Sequence, residues 1–268
     1  MLALLAPAAV AVCLTHPAGL DREIGRRSLP WLPPDLARQV VKHERDFTRG
    51  MEAAAAWPAS YHRSGAGSSA ERAITTQCER LVAAIRGRKP FAEVVSGLGA
   101  LAHFAGDLAA PFPPSGRPDP HADAFARYLG SAAPRVPLVF YGQATQLIRS
   151  EVSGLAPLLH RRRSEADALA PFIRVDLDRV GGPGAWRRLD DRSTGFAAAS
   201  LVLNHATSDY VNLASWVWHH AGGAVPPVNG RGTDIFVWRG EPIPRQPALY
   251  SRKAGRSRDE AGTHLGFR

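Results

Sequence analysis

The chain has 268 residues, 45% of them hydrophobic and 21% charged, and a formal net charge of +9, so it can bury one large core, the simplest reading of its length. Two cysteines, Cys13 and Cys78, exclude a disulfide framework, and no segment after the N-terminus approaches the ~20 apolar residues of a membrane-spanning helix. The basic balance suits an anionic partner, whether a phosphodiester, an anionic lipid surface or nucleic acid, although solvated arginines such as Arg161 to Arg163 and Arg252 to Arg258 are expected to carry much of it.

In chain order, Met1 to Val12 is apolar and Ala-rich and contains Ala9-Val10-Ala11, a small-x-small cleavage signature; residues 1–12 read as a truncated signal segment. The protein is then expected to be exported, periplasmic or extracellular, and otherwise cytoplasmic. Pro33 to about Trp57 opens with prolines and Asp35 and continues in good helix formers, which predicts one helix. Ser68 to Arg88 and Pro90 to Ala109 repeat the pattern, separated by Lys89-Pro90. A short helix near His121 to Leu129, a longer one from Val136 to about Arg161 and another from Glu165 follow. Gly181-Gly182-Pro183-Gly184 breaks the chain before a last helical stretch from Ser193 to Ala221. Little alternates with period two, so the predicted fold is all-α, a multi-helix bundle over residues 13–221. Residues 222–268 are rich in Pro, Gly and Arg and read as an irregular tail or extended arm, in which Ile235-Phe236-Val237-Trp238 is apolar enough to dock as one strand or plug against the helices.

Chemistry concentrates in Leu98 to Pro114. His103 and Asp107 stand four apart on a helix, hence on one face, where they can hold a metal ion or each other. The run His103-Phe104-Ala105-Gly106-Asp107-Leu108-Ala109-Ala110-Pro111-Phe112 resembles the His-Phe-x-Gly-Asp-x-x-x-Pro-Phe segment of the zinc-dependent phospholipase C and single-strand nuclease superfamily. That resemblance implies zinc ligation by His103 and Asp107, with Asp107 bridging two ions. Upstream, Asp46-Phe47-Thr48-Arg49 and Tyr61-His62 resemble the family's Asp-x-x-Arg followed by a His beside an aromatic, which adds Asp46 and His62 to the implied ligands. Read from the residues alone, Asp46 is equally a solvated charge and His62 a loop histidine. Cleavage after Ala11 would leave Val12 as a free amine four residues before His16, and the family binds zinc through its terminal residue and a nearby His; His16 is therefore an implied ligand. The run from His16, with Leu20, Ile24 and Leu29 at helical intervals, resembles the family's first helix.

Other positions depart from the pattern. Pro113 stands where the family has a further His, and His121 and Asp123, two apart, point to different helix faces, so a third metal site is expected to be lost or remodelled. A second His-x-x-x-Asp pair, His205 and Asp209, lies on the last long helix and either touches the cleft or packs internally.

The resemblance implies a phospholipase C-like phosphodiester hydrolase with two zinc ions and metal-activated water, Asp46 and Asp107 being catalytic, and Arg49 partly standing in for the lost third site. The expected substrate is a phospholipid or another phosphodiester, with peripheral contact to an anionic membrane; Trp57, Tyr61, Phe104 and Phe112 are candidates for the cleft wall. Nucleic acid, as the substrate of a single-strand nuclease, fits the same residues. A non-catalytic relative that binds an anionic surface through its basic tail, and an unrelated bundle with internally bonded histidines, are the remaining alternatives.

Overall fold

A computed structural model describes residues 18–62, 69–112, 118–227 and 236–238. Among these the helices are α1 (Ala18–Ser28), α2 (Pro34–Lys42), α3 (Glu44–Ala55), α4 (Ser69–Arg86), α5 (Phe91–Ala109), α6 (Pro120–Ala132), α7 (Thr145–Arg149), α8 (Ala156–Arg179) and α9 (Thr194–His220), with two three-residue strands, β1 (Leu138–Phe140) and β2 (Phe236–Trp238). The fold is all-α, as the patterning predicts.

Helix α5 is the axis of the bundle. It is buried without a break from Leu98 to Ala109, so other elements cover it on every side. Pro90 precedes its first turn, and it stops at Ala110, whose extended backbone (φ −71, ψ 127) is the conformation the following Pro111 favours. Helix α3 packs on it at backbone distance: a Cβ at Gly50 would lie 1.8 Å from the Ser96 carbonyl oxygen, and one at Gly99 2.0 Å from that of Phe47. Helix α9, buried from Ala206 to Val217, runs against α5, and the Ser193 hydroxyl caps it by accepting the Phe196 N–H at 3.1 Å.

Two regions differ from the predicted elements. The single helix expected over Pro33 to Trp57 is split at His43, whose backbone (φ −116, ψ 35) leaves the helical region. The helix expected over Val136 to Arg161 is broken: α7 and the start of α8 fall within it, α8 runs on through Glu165 where a separate helix is expected, and Pro137 with Leu138-Val139-Phe140 makes an extended segment instead, ended by Gly142 at φ +92. This segment is held from both sides. Asn204, Ser208 and Asn212, four apart on one face of α9, accept the N–H groups of Val139, Tyr141 and Ala144 at 3.0, 3.2 and 2.8 Å. On its other edge β2 pairs antiparallel, Val139 opposite Val237, which is the docked-strand alternative for Ile235 to Trp238.

The arginines also depart from expectation. Arg162 and Arg163 are each 5% exposed rather than solvated. Arg163 donates to the Ala110 carbonyl at 2.8 Å and the Leu108 carbonyl at 3.4 Å, supplying orphan acceptors at the end of α5. Arg27, fully buried, donates to the Val136 carbonyl at 2.8 Å and to that of Ala133 at 2.5 Å. The Arg252 to Arg258 run lies outside the described residues.

The α3–α5 approach yields a stability test. Helix propensity favours Ala over Gly by about 1 kcal/mol, but a methyl pressed on a backbone carbonyl has no flexible neighbour to move, so Gly99→Ala should fall at the costly end of the ~1–3 kcal/mol overpacking range. A net loss of about 2 kcal/mol corresponds to a melting temperature lower by roughly 4–8 °C. Gly184→Ala, which meets nothing within 4 Å, is the control and should leave melting unchanged. Equal melting curves for the two variants would refute the close packing.

Candidate metal centre

His103 and Asp107 occupy successive turns on one face of α5, toward its C-terminal end. His62 comes from the turn after α3, where Ala59–Tyr61 forms a single 3-10 turn that brings the imidazole back over α5. The three side chains are 4%, 3% and 1% exposed and converge. Asp107 Oδ2 lies 2.6 Å from His62 Nδ1 and 3.2 Å from His103 Nε2, and the two ring nitrogens are 3.4 Å apart.

These distances fit a small divalent metal. Two imidazole nitrogens and one carboxylate oxygen within reach of one another are a donor set that suits zinc, and these three residues would hold it. Each histidine has its remote nitrogen already engaged. His62 Nε2 faces the Trp57 carbonyl at 3.2 Å, and His103 Nδ1 faces Asp21 Oδ2 of α1 at 2.8 Å. Ligating histidines are oriented in this way, by an acceptor on the nitrogen that does not bind the metal.

Burial alone would push the His103 pKa down, but the carboxylates of Asp107 and Asp21 outweigh it and raise the value to about 9. A proton on His103 thus holds the charge balance between two buried acids. A metal cation can take its place, because the proton can leave.

Of the implied ligands, the structure brings together His62, His103 and Asp107. It does not bring Asp46 to them. Asp46 lies in the first turn of α3. Its carboxylate, on a side chain 19% exposed, pairs there with Arg49 at 2.7 Å and His43 at 3.4 Å. Arg49, with a side chain 72% exposed, is likewise not placed to serve the centre. His16 and Pro113 lie outside the described residues.

His121 is drawn away by a different network. Its Nε2 meets Asp178 at 2.9 Å and its Nδ1 meets Arg174 at 3.3 Å, while Asp123 is exposed. On α9, Asp209 is bound by Arg162 at 2.5 and 3.2 Å. His205 beside it is pushed down to about 3 by burial and by the Arg162 and Arg161 charges. That pair packs internally and has no part in the centre.

Of the cleft candidates, Phe104 and Phe112 are core residues. Trp57 and Tyr61, with ring centroids 5.2 Å apart, do line a cleft of about 650 Å³, together with Arg72, Thr76 and Arg80. The cleft adjoins the centre through Trp57, whose carbonyl faces His62.

Asp21 is the residue that sequence reasoning missed. A signal was present: Asp21 shares a helical stripe with Ile24 and Ser28, which are fully buried, so a charge at that position needed a buried partner.

No protein-family model matches the chain, and no curated protein matches it by sequence. Among solved structures, the fold is similar to that of Clostridium perfringens alpha-toxin isolated from an avian strain, with a TM-score of 0.58 at 11% identity over 76% of this chain. The chain spans 64% of the length of that protein. The likeness supports the all-α fold of this chain.

Proposed function

We propose that the chain is a zinc-dependent phosphodiester hydrolase of the phospholipase C type, with His62, His103 and Asp107 holding the metal. The observation that carries this reading is the convergence of three donors from two segments, each histidine oriented by an acceptor on its other nitrogen. A bound zinc ion lowers the pKa of its water toward neutrality and neutralises phosphate oxygens. The chain's own residues supply the rest. Asp107 and the two imidazoles fix the metal's place at the end of α5, and the cleft of Trp57 and Tyr61, flanked by Arg72 and Arg80, suits an anionic diester with an apolar portion. The fold likeness favours a phospholipid among such diesters. No helix of the described residues is long and apolar enough to cross a membrane. Three donors constitute one site; of the other ligands that the expectation of two ions needs, Asp46 does not join them and His16 lies outside the described residues.

One feature favours the non-catalytic alternative. The donors are nearly sealed from solvent, as in structural zinc sites, whereas catalytic sites keep an open position. Metal content and turnover separate the readings. The wild-type protein should contain zinc, lose it with Asp107→Asn, and hydrolyse bis(p-nitrophenyl) phosphate and phosphatidylcholine micelles in a chelator-sensitive way, with Asp107→Asn at least ~100-fold slower. Zinc with no turnover would establish the structural role, and no zinc would remove both.

A pH dependence follows from His103. Its pKa is raised in the folded state to about 9, so the stability its proton contributes is complete below the ordinary value of 6.5 and is lost as pH climbs through about 9. Zinc needs the deprotonated ring, so its affinity gains over the same interval. Thermal melts from pH 6.5 to 9 should show the chelator-treated protein losing stability and the zinc-induced rise in melting temperature growing. A zinc effect flat across that window would sink the assignment.

A further inference from the structure

We propose that Asp21 is the positioning residue of the metal centre: its carboxylate holds His103 Nδ1–H, so that His103 presents Nε2 to the metal and the two negative charges of Asp21 and Asp107 balance a dication. The role rests on the metal reading above. It goes beyond that reading in assigning a residue that supplies no atom to the metal.

Geometry comes first. His103 Nδ1 lies 2.8 Å from Asp21 Oδ2, while Nε2 of the same ring is the atom that faces Asp107 Oδ2 at 3.2 Å and His62 Nδ1 at 3.4 Å. An acceptor on one nitrogen fixes both the tautomer and the ring plane, which leaves the other lone pair aimed at the cluster.

Charge comes second. A divalent ion held by two neutral imidazoles and one carboxylate leaves a net positive charge in a site that water barely reaches, and such a charge is costly. Asp21, itself 5% exposed and one imidazole ring away, contributes a second negative charge. His62 has only a neutral carbonyl, that of Trp57, in the equivalent place. The two ligating rings are therefore unequal, and His103 is the stronger donor because its outer partner is an anion.

Topology comes third. The carboxylate is delivered by α1, 82 residues before the histidine it holds. A simple helix clamp between α1 and α5 would explain the contact without any metal, so the test must separate a clamp from a positioning group.

The full-length protein, wild type and Asp21→Asn, would be loaded with Co(II) and with zinc. Asparagine keeps the size and an acceptor oxygen while removing the charge, so folding should persist, as checked by circular dichroism. Asp21→Asn should bind zinc roughly 10- to 100-fold more weakly in chelator competition, and its Co(II) d–d absorption should change in position or intensity. Unchanged affinity and an unchanged d–d spectrum in a folded variant would reduce Asp21 to a clamp while the centre stands. Failure of the wild type to take up Co(II) or zinc overturns the centre and this role together. Should Asp21→Asn not fold, proton NMR of wild-type Co(II) protein decides: the hyperfine-shifted, slowly exchanging Nδ1–H of His103 is expected beside the Nε2–H of His62, and its absence refutes the assignment.

Discussion

Asp107 is a carboxylate near the C-terminal end of a helix whose second half is entirely buried, and this one placement constrains much of the bundle. The end of a helix carries partial negative charge from its unsatisfied carbonyls, so an acid there is disfavoured by the dipole as well as by desolvation. The surroundings answer both. Arg163 reaches across from α8 to the Leu108 and Ala110 carbonyls, which removes part of the dipole's exposed end. His62 and His103 face the carboxylate itself. The first drags the turn after α3 over α5, and the second, through its other nitrogen, brings in α1.

A comparison within the molecule shows why one His-x-x-x-Asp pair suits a metal and the other does not. On α9, Asp209 is paired with the Arg162 guanidinium in a two-point contact, and burial together with the same cation drives His205 toward its neutral form. A guanidinium cannot lose its charge or leave, so the carboxylate is permanently committed. On α5 the balancing charge is a proton on an imidazole, which departs when a better cation arrives. Identical spacing in the sequence therefore gives a fixed ion pair in one place and a convertible centre in the other.

The long helices were legible because their signals are local: apolar spacing, Pro90 and Pro111 flanking α5, and Ser193 and the Gly181 to Gly184 run around α9. The pair on α5 was legible for the same reason. What escaped depends on contacts distant in sequence. The extended segment at Leu138 owes its conformation to Asn204, Ser208 and Asn212 on a helix more than sixty residues away, whose amides and hydroxyl act as a surrogate strand edge. Arg162 and Arg163 sit in a basic triplet that reads as solvated, and only the position of α5 and α9 turns two of the three inward. Asp46 illustrates the opposite error. Motif order supported it as a ligand, but its carboxylate is held by Arg49 and His43, three residues to either side, and does not join the cluster of His62, His103 and Asp107.

The donors of the centre also explain how local chemistry becomes a property of the whole fold. Asp21, His62 and the pair on α5 lie on segments joined by long stretches of chain, and ordering those stretches is the main cost of folding. A ligand that binds only when the segments are assembled stabilises the assembled state by an amount set by its concentration relative to its dissociation constant. The same geometry that would make the metal useful to a phosphodiester would therefore make it part of the scaffold. Sealing of the donors and catalysis compete for that single arrangement, because a site closed enough to stabilise α1 against α5 must still admit a phosphate oxygen to work. In the described residues the Trp57 and Tyr61 cleft lies one backbone carbonyl away from His62.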